Sequence, residues 1–233
     1  MSYGVPAVPM ISPGAGPIPP VPFHQPTNLF RFGEQTLWST FLFLGGAALA
    51  NSVNRTFTTP LGQVGQGFAN ALTIGETNLK EGGRVPAGVA YDVFGLGAQV
   101  LHGNQALAGA GLTLSQPADT PAEIGDIQNI INNGVLSWNF ISTVIDIAPL
   151  SLIGAGGGVY GAVSQNAAGA NTGAMNNGNG SIWMYRKHPV ALPGNSTFSL
   201  VVRFGSRAAV VGANCVALRI VLFGYYKNVI EIG

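Results

Sequence analysis

The chain has 233 residues, enough to bury the core of one all-β domain. Only 8% of them are Asp, Glu, Lys or Arg, against roughly 25% in a typical soluble domain, and the formal net charge is +1. This low charge argues against a well-solvated free monomer and favours a subunit that hides its surface against neighbours or lipid. The 10 basic residues are spread along the chain, so we expect no specific nucleic-acid binding.

The first segment, residues 1–28, is rich in proline and glycine and holds more than half of the chain's 15 prolines. Proline lacks a backbone donor and fixes φ, which excludes a helix or an inner strand. We therefore predict an extended, polyproline-like arm over 1–28 and one β-domain over 29–233. The segment lacks the basic start of a secretory signal. Two readings stay open, a disordered tail and an arm that lies along a neighbouring subunit.

Alternating apolar and β-branched segments predict about eight strands. The first two lie in 30–44 and 51–59, followed by a weakly periodic stretch at 66–74. The charged stretch 76–83 is expected to be a surface loop. A further strand covers 91–101, where internal glycines indicate a bulge or the close approach of another backbone.

One stretch, 121–132, has helical spacing. Four isoleucines fall at i, i+3, i+6 and i+7 from Ile124, which places them on one side of a helix. Thr120 is a candidate N-cap, and Asn133-Gly134 a candidate end. The pattern leaves a short helix and an irregular turn as alternatives.

The second half of the chain predicts further strands. The stretch 135–147 is expected to be one strand, 154–180 a long irregular surface loop, and 182–186 a short strand. The last two strands, in 198–204 and 216–223, are expected to pair as an antiparallel hairpin that ends the domain. Removing this hairpin would open a sheet edge.

Many strands, little helix and Gly- or Pro-rich connections predict an all-β, two-sheet sandwich or barrel with long Gly/Asn-rich loops. The chain has no internal repeat, which disfavours a propeller or solenoid. The apolar run 37–50 is shorter than the ~20 residues of a helical membrane span. Acidic, proline and glycine residues interrupt the run 144–163.

The chain has few of the acidic, basic and metal-ligating residues that catalysis needs. His24, His102 and His188 are far apart and lack the spacing of metal ligands. The single cysteine, Cys215, excludes an internal disulfide and is expected to be a small buried residue. Asp146 lies within an apolar run, where alternation predicts an outward-facing strand position.

Short motifs do not change this picture. Residues 156–161 match Gly-x-Gly-x-x-Gly, but no helix pattern and no acid about 20 residues on follow them. Asn54-Arg55-Thr56 and Asn195-Ser196-Thr197 match the glycosylation acceptor pattern, which is frequent by chance. We therefore predict that the protein is not an enzyme and has no catalytic, cofactor-binding or metal-binding residues.

Three segments carry a family resemblance. They are Arg84-Val85-Pro86-Ala87-Gly88 with Tyr91-Asp92-Val93-Phe94, Leu192-Pro193-Gly194-Asn195-Ser196-Thr197-Phe198, and Leu218-Arg219-Ile220-Val221-Leu222-Phe223-Gly224. In this pattern the chain, over about 84–233, resembles the jelly-roll capsid proteins of tailless icosahedral bacterial and archaeal viruses, including the lineage with an internal membrane.

The resemblance implies a jelly-roll sandwich, and the chain length favours a single jelly roll over the longer double-barrel version. It also implies a structural virion protein, a bacteriophage-type capsid subunit that self-assembles into an icosahedral shell. The implied partners are copies of itself, other virion proteins and an internal viral membrane. The family has no catalytic residues to carry over.

Two alternatives stay open. The first is another self-assembling subunit, of a surface layer or a filament. The second is a carbohydrate- or receptor-binding β-sandwich such as a spike or lectin, in which Trp183, Tyr185, Tyr225 and Tyr226 would stack on sugars. The same four aromatic residues are as readily explained as core or interface residues.

Overall fold

The computed structural model describes residues 28–114, 120–140, 143–154, 157–164, 172–179, 182–185 and 187–231. The arm expected over 1–28 lies outside these residues except at its last position. The described elements are β1 (Asn28–Phe43), β2 (Val53–Thr56), β3 (Val89–His102), α1 (Pro121–Asn133), β4 (Gly134–Phe140), β5 (Thr143–Pro149), a 3₁₀ turn (Leu150–Leu152), β6 (Gly157–Ser164), β7 (Thr172–Asn179), β8 (Trp183–Met184), β9 (Val190–Leu192), β10 (Ser199–Phe204) and β11 (Val216–Glu231).

The strands form two larger sheets and one separate pair, and all their pairings are antiparallel. The first sheet has the order β1-β11-β3-β8, and β9 also pairs with β3. The second sheet has the order β2-β10-β4-β5, while β6 pairs with β7. The protein is therefore mostly β, as predicted, and its two antiparallel sheets are consistent with a β-sandwich.

The two larger sheets meet across one apolar core. Leu218, Ile220 and Leu222 on β11 are fully buried and belong to the same cluster as the β10 side chains Leu200 and Val202. These residues alternate along their strands, so each strand presents one face to the core. At one end of the core the rings of Phe43 and Phe204 meet edge to face with centroids 5.6 Å apart, a preferred geometry for aromatic pairs.

The expected C-terminal hairpin is wrong. β10 pairs with β2 and β4, whereas β11 pairs with β1 and β3, so the last two long strands lie in different sheets. Residues 205–215 carry the chain from one sheet to the other. An alternating pattern indicates that a strand has an apolar face, but it does not indicate which strand pairs with it. The prediction therefore paired the last strand with its neighbour in the chain.

Three other expectations also need correction. The stretch 135–147 forms two strands, β4 and β5, that pair with each other. The region 154–180 contains the β6–β7 pair instead of being irregular throughout. The stretch 76–83 is not simply exposed, because Thr77 and Leu79 are buried and Thr77 bridges to Ser39 of β1. This segment covers an edge strand that would otherwise leave backbone groups unpaired.

Of the two alternatives left open for 121–132, the structure has the helix, and the glycine-bearing strand behaves as predicted. α1 begins with a capping box, in which the Thr120 hydroxyl accepts from the Glu123 backbone N–H at 3.3 Å and the Thr120 N–H donates to the Glu123 carboxylate at 3.2 Å. The β3–β11 register shifts between Phe223 and Gly224, which is the expected irregularity. Gly95 of β3 lies against Met184 and Trp183, the expected close approach.

We predict that Leu218→Ala lowers the free energy of unfolding by about 2–5 kcal/mol, because it leaves a cavity between the sheets. Leu218 is fully buried on the central strand of the first sheet. The same substitution at Leu107, whose side chain is 69% exposed, is the matched control and should stay within about 0.5 kcal/mol of the wild type. Urea unfolding measures both, and equal losses would contradict the assigned core.

Candidate functional site

The histidines do not come together. His102 is buried at the end of β3, His188 is exposed before β9, and His24 lies outside the described residues. Within the part of the chain that the structure describes, no group of three or more His, Cys, Asp or Glu side chains could hold a metal ion.

The other residues that the sequence singled out have local structural roles. Cys215 is buried, as predicted, and its thiol lies 3.2 Å from the Ala106 carbonyl oxygen. Burial raises the pKa of this thiol, which makes it less reactive. Asn54 donates to the Ser52 hydroxyl at 3.1 Å, and Asn195, at φ 64°, accepts from Arg84 at 2.7 Å.

Asp146 of β5 is exposed, as predicted, but the expected alternation is absent because its neighbour Ile145 is half exposed as well. Its carboxylate accepts from the Ser137 hydroxyl at 2.7 Å and forms an ion pair with Arg203. The hydrogen bond from Ser137, followed by that from Arg203, lowers the pKa of Asp146. The negative charge of Asp146 on β5 is therefore paired with the positive charge of Arg203 on β10 of the same sheet.

A polar stripe on α1 is the feature that sequence reasoning missed. Glu123, Asp126, Asn129 and Asn133 are spaced by three or four residues, so they share one side of the helix. The Asn129 side-chain amide donates to the Ala209 carbonyl at 2.5 Å, and the Asn133 side chain donates to the Asn129 side-chain oxygen at 2.6 Å. The backbone carbonyl of Asn133 accepts from the Gly205 N–H at 3.4 Å. The stripe therefore holds the inter-sheet crossing, residues 205–215. Its helical spacing was visible in the sequence, but its partners were not.

The two acids of the stripe are buried. Asp126, fully buried, accepts from the backbone N–H groups of Val211 and Gly212, each at 2.7 Å. Glu123 accepts from the Asn214 amide at 2.7 Å and lies 3.4 Å from the His102 Nε2 atom. Burial is the main cause that raises the pKa of Asp126. These contacts give the cluster a structural role, since each acid is bonded to the crossing segment.

The four aromatic residues proposed for sugar stacking do not form one platform. Trp183 and Tyr185 pack against the core, and the Tyr185 hydroxyl accepts from the Trp138 indole N–H at 2.7 Å. Tyr225 and Tyr226 are consecutive on β11 and therefore point to opposite sheet faces. Tyr225 is 45% exposed, whereas Tyr226 packs against the core.

An outer patch of apolar side chains lies on the solvent face of the first sheet. We define it by Phe94, Gly95, Met184, Phe223 and Tyr225. Met184 and Tyr225 are each 45% exposed, and the rings of Phe94 and Tyr225 lie with centroids 4.9 Å apart. Gly95 itself is buried beside Met184, so the exposed surface of the patch comes mainly from Met184 and Tyr225.

A second apolar surface lies at the edge of the other sheet. Among the described strands β5 pairs only with β4, and its side chains Val144 and Ile145 are each about half exposed, at 50% and 51%. The free backbone edge of such a strand is a template for pairing with another chain. The only acid of β5, Asp146, is already matched by Arg203.

An end cleft of about 490 Å³ opens beside the first halves of β1 and β3. Its apolar lining comes from Leu37, Leu79, Val85, Tyr91, Phe198 and Tyr226. Glu34, Gln35, Lys80, Glu81, Arg84 and Asn228 also border it. The volume lies within the ~300–1,000 Å³ range of ligand pockets, and an apolar lining with a few polar groups is their usual composition.

The tyrosines of the end cleft are fixed by their surroundings. The buried Tyr91 hydroxyl contacts the Gln35 carbonyl oxygen and lies 3.1 Å from that of Leu222, and burial raises its pKa. The ring of Tyr226 lies against Gly33, where an added Cβ would be 2.5 Å from the ring. The cleft therefore has preformed aromatic walls.

No helix within the described residues is long and apolar enough to cross a membrane. In comparisons with known proteins, no family model, curated protein or solved structure matches the chain. The protein is thus classed by its own architecture, an antiparallel two-sheet β-protein with exposed apolar surfaces and a preformed cleft.

We predict that Asp126→Asn lowers the free energy of unfolding by about 1–3 kcal/mol. The asparagine side chain has one acceptor oxygen, whereas the N–H groups of Val211 and Gly212 each need one. One buried donor would therefore be left unpaired. The control is Gln128→Glu on the exposed side of α1, which should change the free energy by less than about 0.5 kcal/mol. Urea unfolding near neutral pH measures both variants.

Comparison of the wild-type protein with Asp126→Asn also tests the direction of the Asp126 pKa shift. Because this pKa is raised above 3.8 in the folded chain, the folded state binds the proton more tightly than the unfolded state. The contribution of Asp126 to stability therefore falls as the pH rises from 3.8 through the folded pKa. Asp126→Asn should lack this component, and identical pH slopes in the two proteins would contradict it.

Proposed function

We propose that the chain is a structural subunit that assembles with copies of itself into a virion shell, with the jelly roll as its fold. The observation that carries the proposal is the strand order. From the ends of the chain inward, β1 pairs with β11, β2 with β10, β3 with β8 and β9, and β4 with β5.

This nested pairing is what results when one long antiparallel ribbon folds over on itself. The two outermost pairs then fall into different sheets, as β1–β11 and β2–β10 do. A double-sheet, eight-strand arrangement of this type occurs in viral capsid and lectin domains. In this interpretation the β6–β7 pair is an insertion between the fifth pairing strand, β5, and the sixth, β8 with β9, and α1 is an insertion between the third and fourth.

Surface composition favours a shell subunit over a free binding domain. The chain has 8% charged residues, and several of those charges are used internally, as in the Glu123 and Asp126 contacts to the crossing segment. Exposed apolar surface is present instead, on the outer patch and along β5. Repetition of one contact in a symmetric assembly would bury these surfaces in every copy.

Other self-assembling roles, in a surface layer or a filament, share this support. The resemblance over 84–233 to capsid proteins of tailless icosahedral viruses is what favours the shell. The sugar-binding alternative has less support, because Trp183 and Tyr185 pack inward while Tyr225 faces outward.

Purified protein is expected to form closed, uniform shells. Light scattering gives the particle mass and negative-stain electron microscopy gives the shape, over a range of ionic strength. Since apolar contacts carry the assembly, particles should persist at high salt, which screens surface charges. Filaments or flat sheets would favour the alternative assemblies, and a protein that stays monomeric at all concentrations would contradict self-assembly.

The contribution of the outer patch is tested by Met184→Lys. An unpaired ammonium buried at a contact costs several kcal/mol, so the protein concentration required for assembly should rise by about tenfold or more. Val64→Lys is the control, since Val64 is 61% exposed and lies outside the patch. Both variants should keep the wild-type circular dichroism spectrum. Unchanged assembly of folded Met184→Lys would exclude the patch as a contact.

A further inference from the structure

Three loops meet at the end of the sandwich where β1 and β3 end and β11 begins. We call their joint surface the apolar tip and define it by residues 44–48, 104–112 and 209–214. The Gly45 N–H donates to the Ala106 carbonyl at 3.0 Å, and the Gly46 N–H donates to the Gly212 carbonyl at 3.1 Å. Segments that are far apart in the chain therefore form one continuous surface.

The apolar tip is uncharged and aliphatic. Its three segments contain no Asp, Glu, Lys, Arg or aromatic residue and consist of Ala, Gly, Leu and Val with three amide side chains. Leu107 and Val211 are 69% and 68% exposed, and Leu44 is exposed as well. Each of these three residues adjoins, in the chain, one of the residues that hydrogen-bond between the loops. Their side chains therefore lie on one contiguous apolar surface.

The three amide side chains of the tip bond within the protein. The Asn104 side chain donates to the Gly111 carbonyl at 3.0 Å and accepts from the Thr113 N–H at 2.9 Å. The Gln105 side chain donates to the Gly109 carbonyl at 3.4 Å. The third amide, at position 214, donates to a buried carboxylate of α1 at 2.7 Å. Side-chain polarity at the tip is thus directed inward.

Backbone groups of the tip also have internal partners. The N–H groups of Val211 and Gly212 donate to the Asp126 carboxylate, each at 2.7 Å. Asp126 and Glu123 lie behind the crossing segment and are buried, so they present no charge at the surface. A lipid phase offers no hydrogen-bond partners, and a loop that enters it must satisfy its polar groups internally. The cross-bonded loops of the tip meet this requirement.

We propose that the apolar tip binds a lipid surface, with Leu44, Leu107 and Val211 inserted at the boundary between headgroups and acyl chains. Apolar side chains of peripheral proteins enter this boundary to a depth of about 5–10 Å. The proposal does not rest on self-assembly, because a single subunit carries the whole tip.

Composition favours lipid over a second copy of the chain. Contacts between proteins are enriched in aromatic residues, Met and Arg, and a typical one carries about ten hydrogen bonds across it. The outer patch has such residues, including Phe94, Met184 and Tyr225. The apolar tip has none of them, and its amide side chains are already bonded within the subunit. Acyl chains require neither aromatic anchors nor hydrogen bonds.

Fluorescence quenching in the full-length protein tests the insertion. The added indole of Leu107→Trp is placed against phosphatidylcholine vesicles brominated in their acyl chains, and we expect a loss of emission that the wild type lacks. Ile74→Trp is the matched control. Ile74 is 60% exposed, and its carbonyl accepts from Trp38, which lies six residues before Leu44, or about 20 Å along the strand. Equal quenching of Leu107→Trp, Ile74→Trp and the wild type would overturn the proposal.

Vesicle flotation measures what drives the binding. Leu107→Asp should lower the apparent affinity for phosphatidylcholine vesicles by about tenfold or more, because a carboxylate resists transfer from water into lipid. Ile74→Asp should bind as the wild type does. The exposed Arg207 borders the tip, but one basic residue attracts anionic lipid only weakly. Binding should therefore persist at high salt. Binding that requires phosphatidylglycerol and disappears at high salt would contradict apolar insertion.

Light scattering separates this proposal from self-assembly. Vesicles are mixed with protein at concentrations from below to above those at which particles form. Particles without quenching at any concentration would show that the tip assignment is wrong while self-assembly stands. Quenching without particles would support the tip and contradict self-assembly. Circular dichroism checks the folding of each variant, and should Leu107→Asp fail to fold, the quenching of Leu107→Trp decides the outcome.

Discussion

The structure depends on the double pairing of β11. This strand pairs with β1 along residues 216–231 and with β3 on its other side, so it is a central strand of the first sheet. Its inward side chains Leu218, Ile220 and Leu222 are fully buried against the second sheet. A central strand satisfies backbone groups on both sides, and the last long strand of the chain is therefore the one that joins the first and third.

This arrangement requires a segment that changes sheets between β10 and β11. The crossing carries backbone donors into the interior, where unpaired groups are costly. Asp126 of α1 accepts from two of these donors, the N–H groups of Val211 and Gly212. Glu123 accepts from the Asn214 side chain, and the Asn129 amide donates to the Ala209 carbonyl. The chain thus uses some of its few charges to fix an internal connection, which leaves its outer surfaces poorer in charge.

The proposed assembly follows from the same distribution of charged and apolar residues. The outer patch, the β5 edge and the end cleft each present groups that water solvates poorly, and each lies on a different side of the sandwich or at its end. A subunit with several such surfaces is suited to contacts with several neighbours, as a closed shell requires.

The sequence by itself determined the local features. Alternation predicted β1, β3, β10 and β11, and the isoleucine spacing with Thr120 left a capped helix as one of two alternatives, because side-chain period and capping are local properties. Buried Cys215 followed from the usual packing of a free cysteine. Only the tertiary structure decided the partner of each strand, the partners of the acids on α1 and the end cleft. These depend on which residues distant in the chain meet, and an apolar face fits many partners equally well until the whole fold selects one.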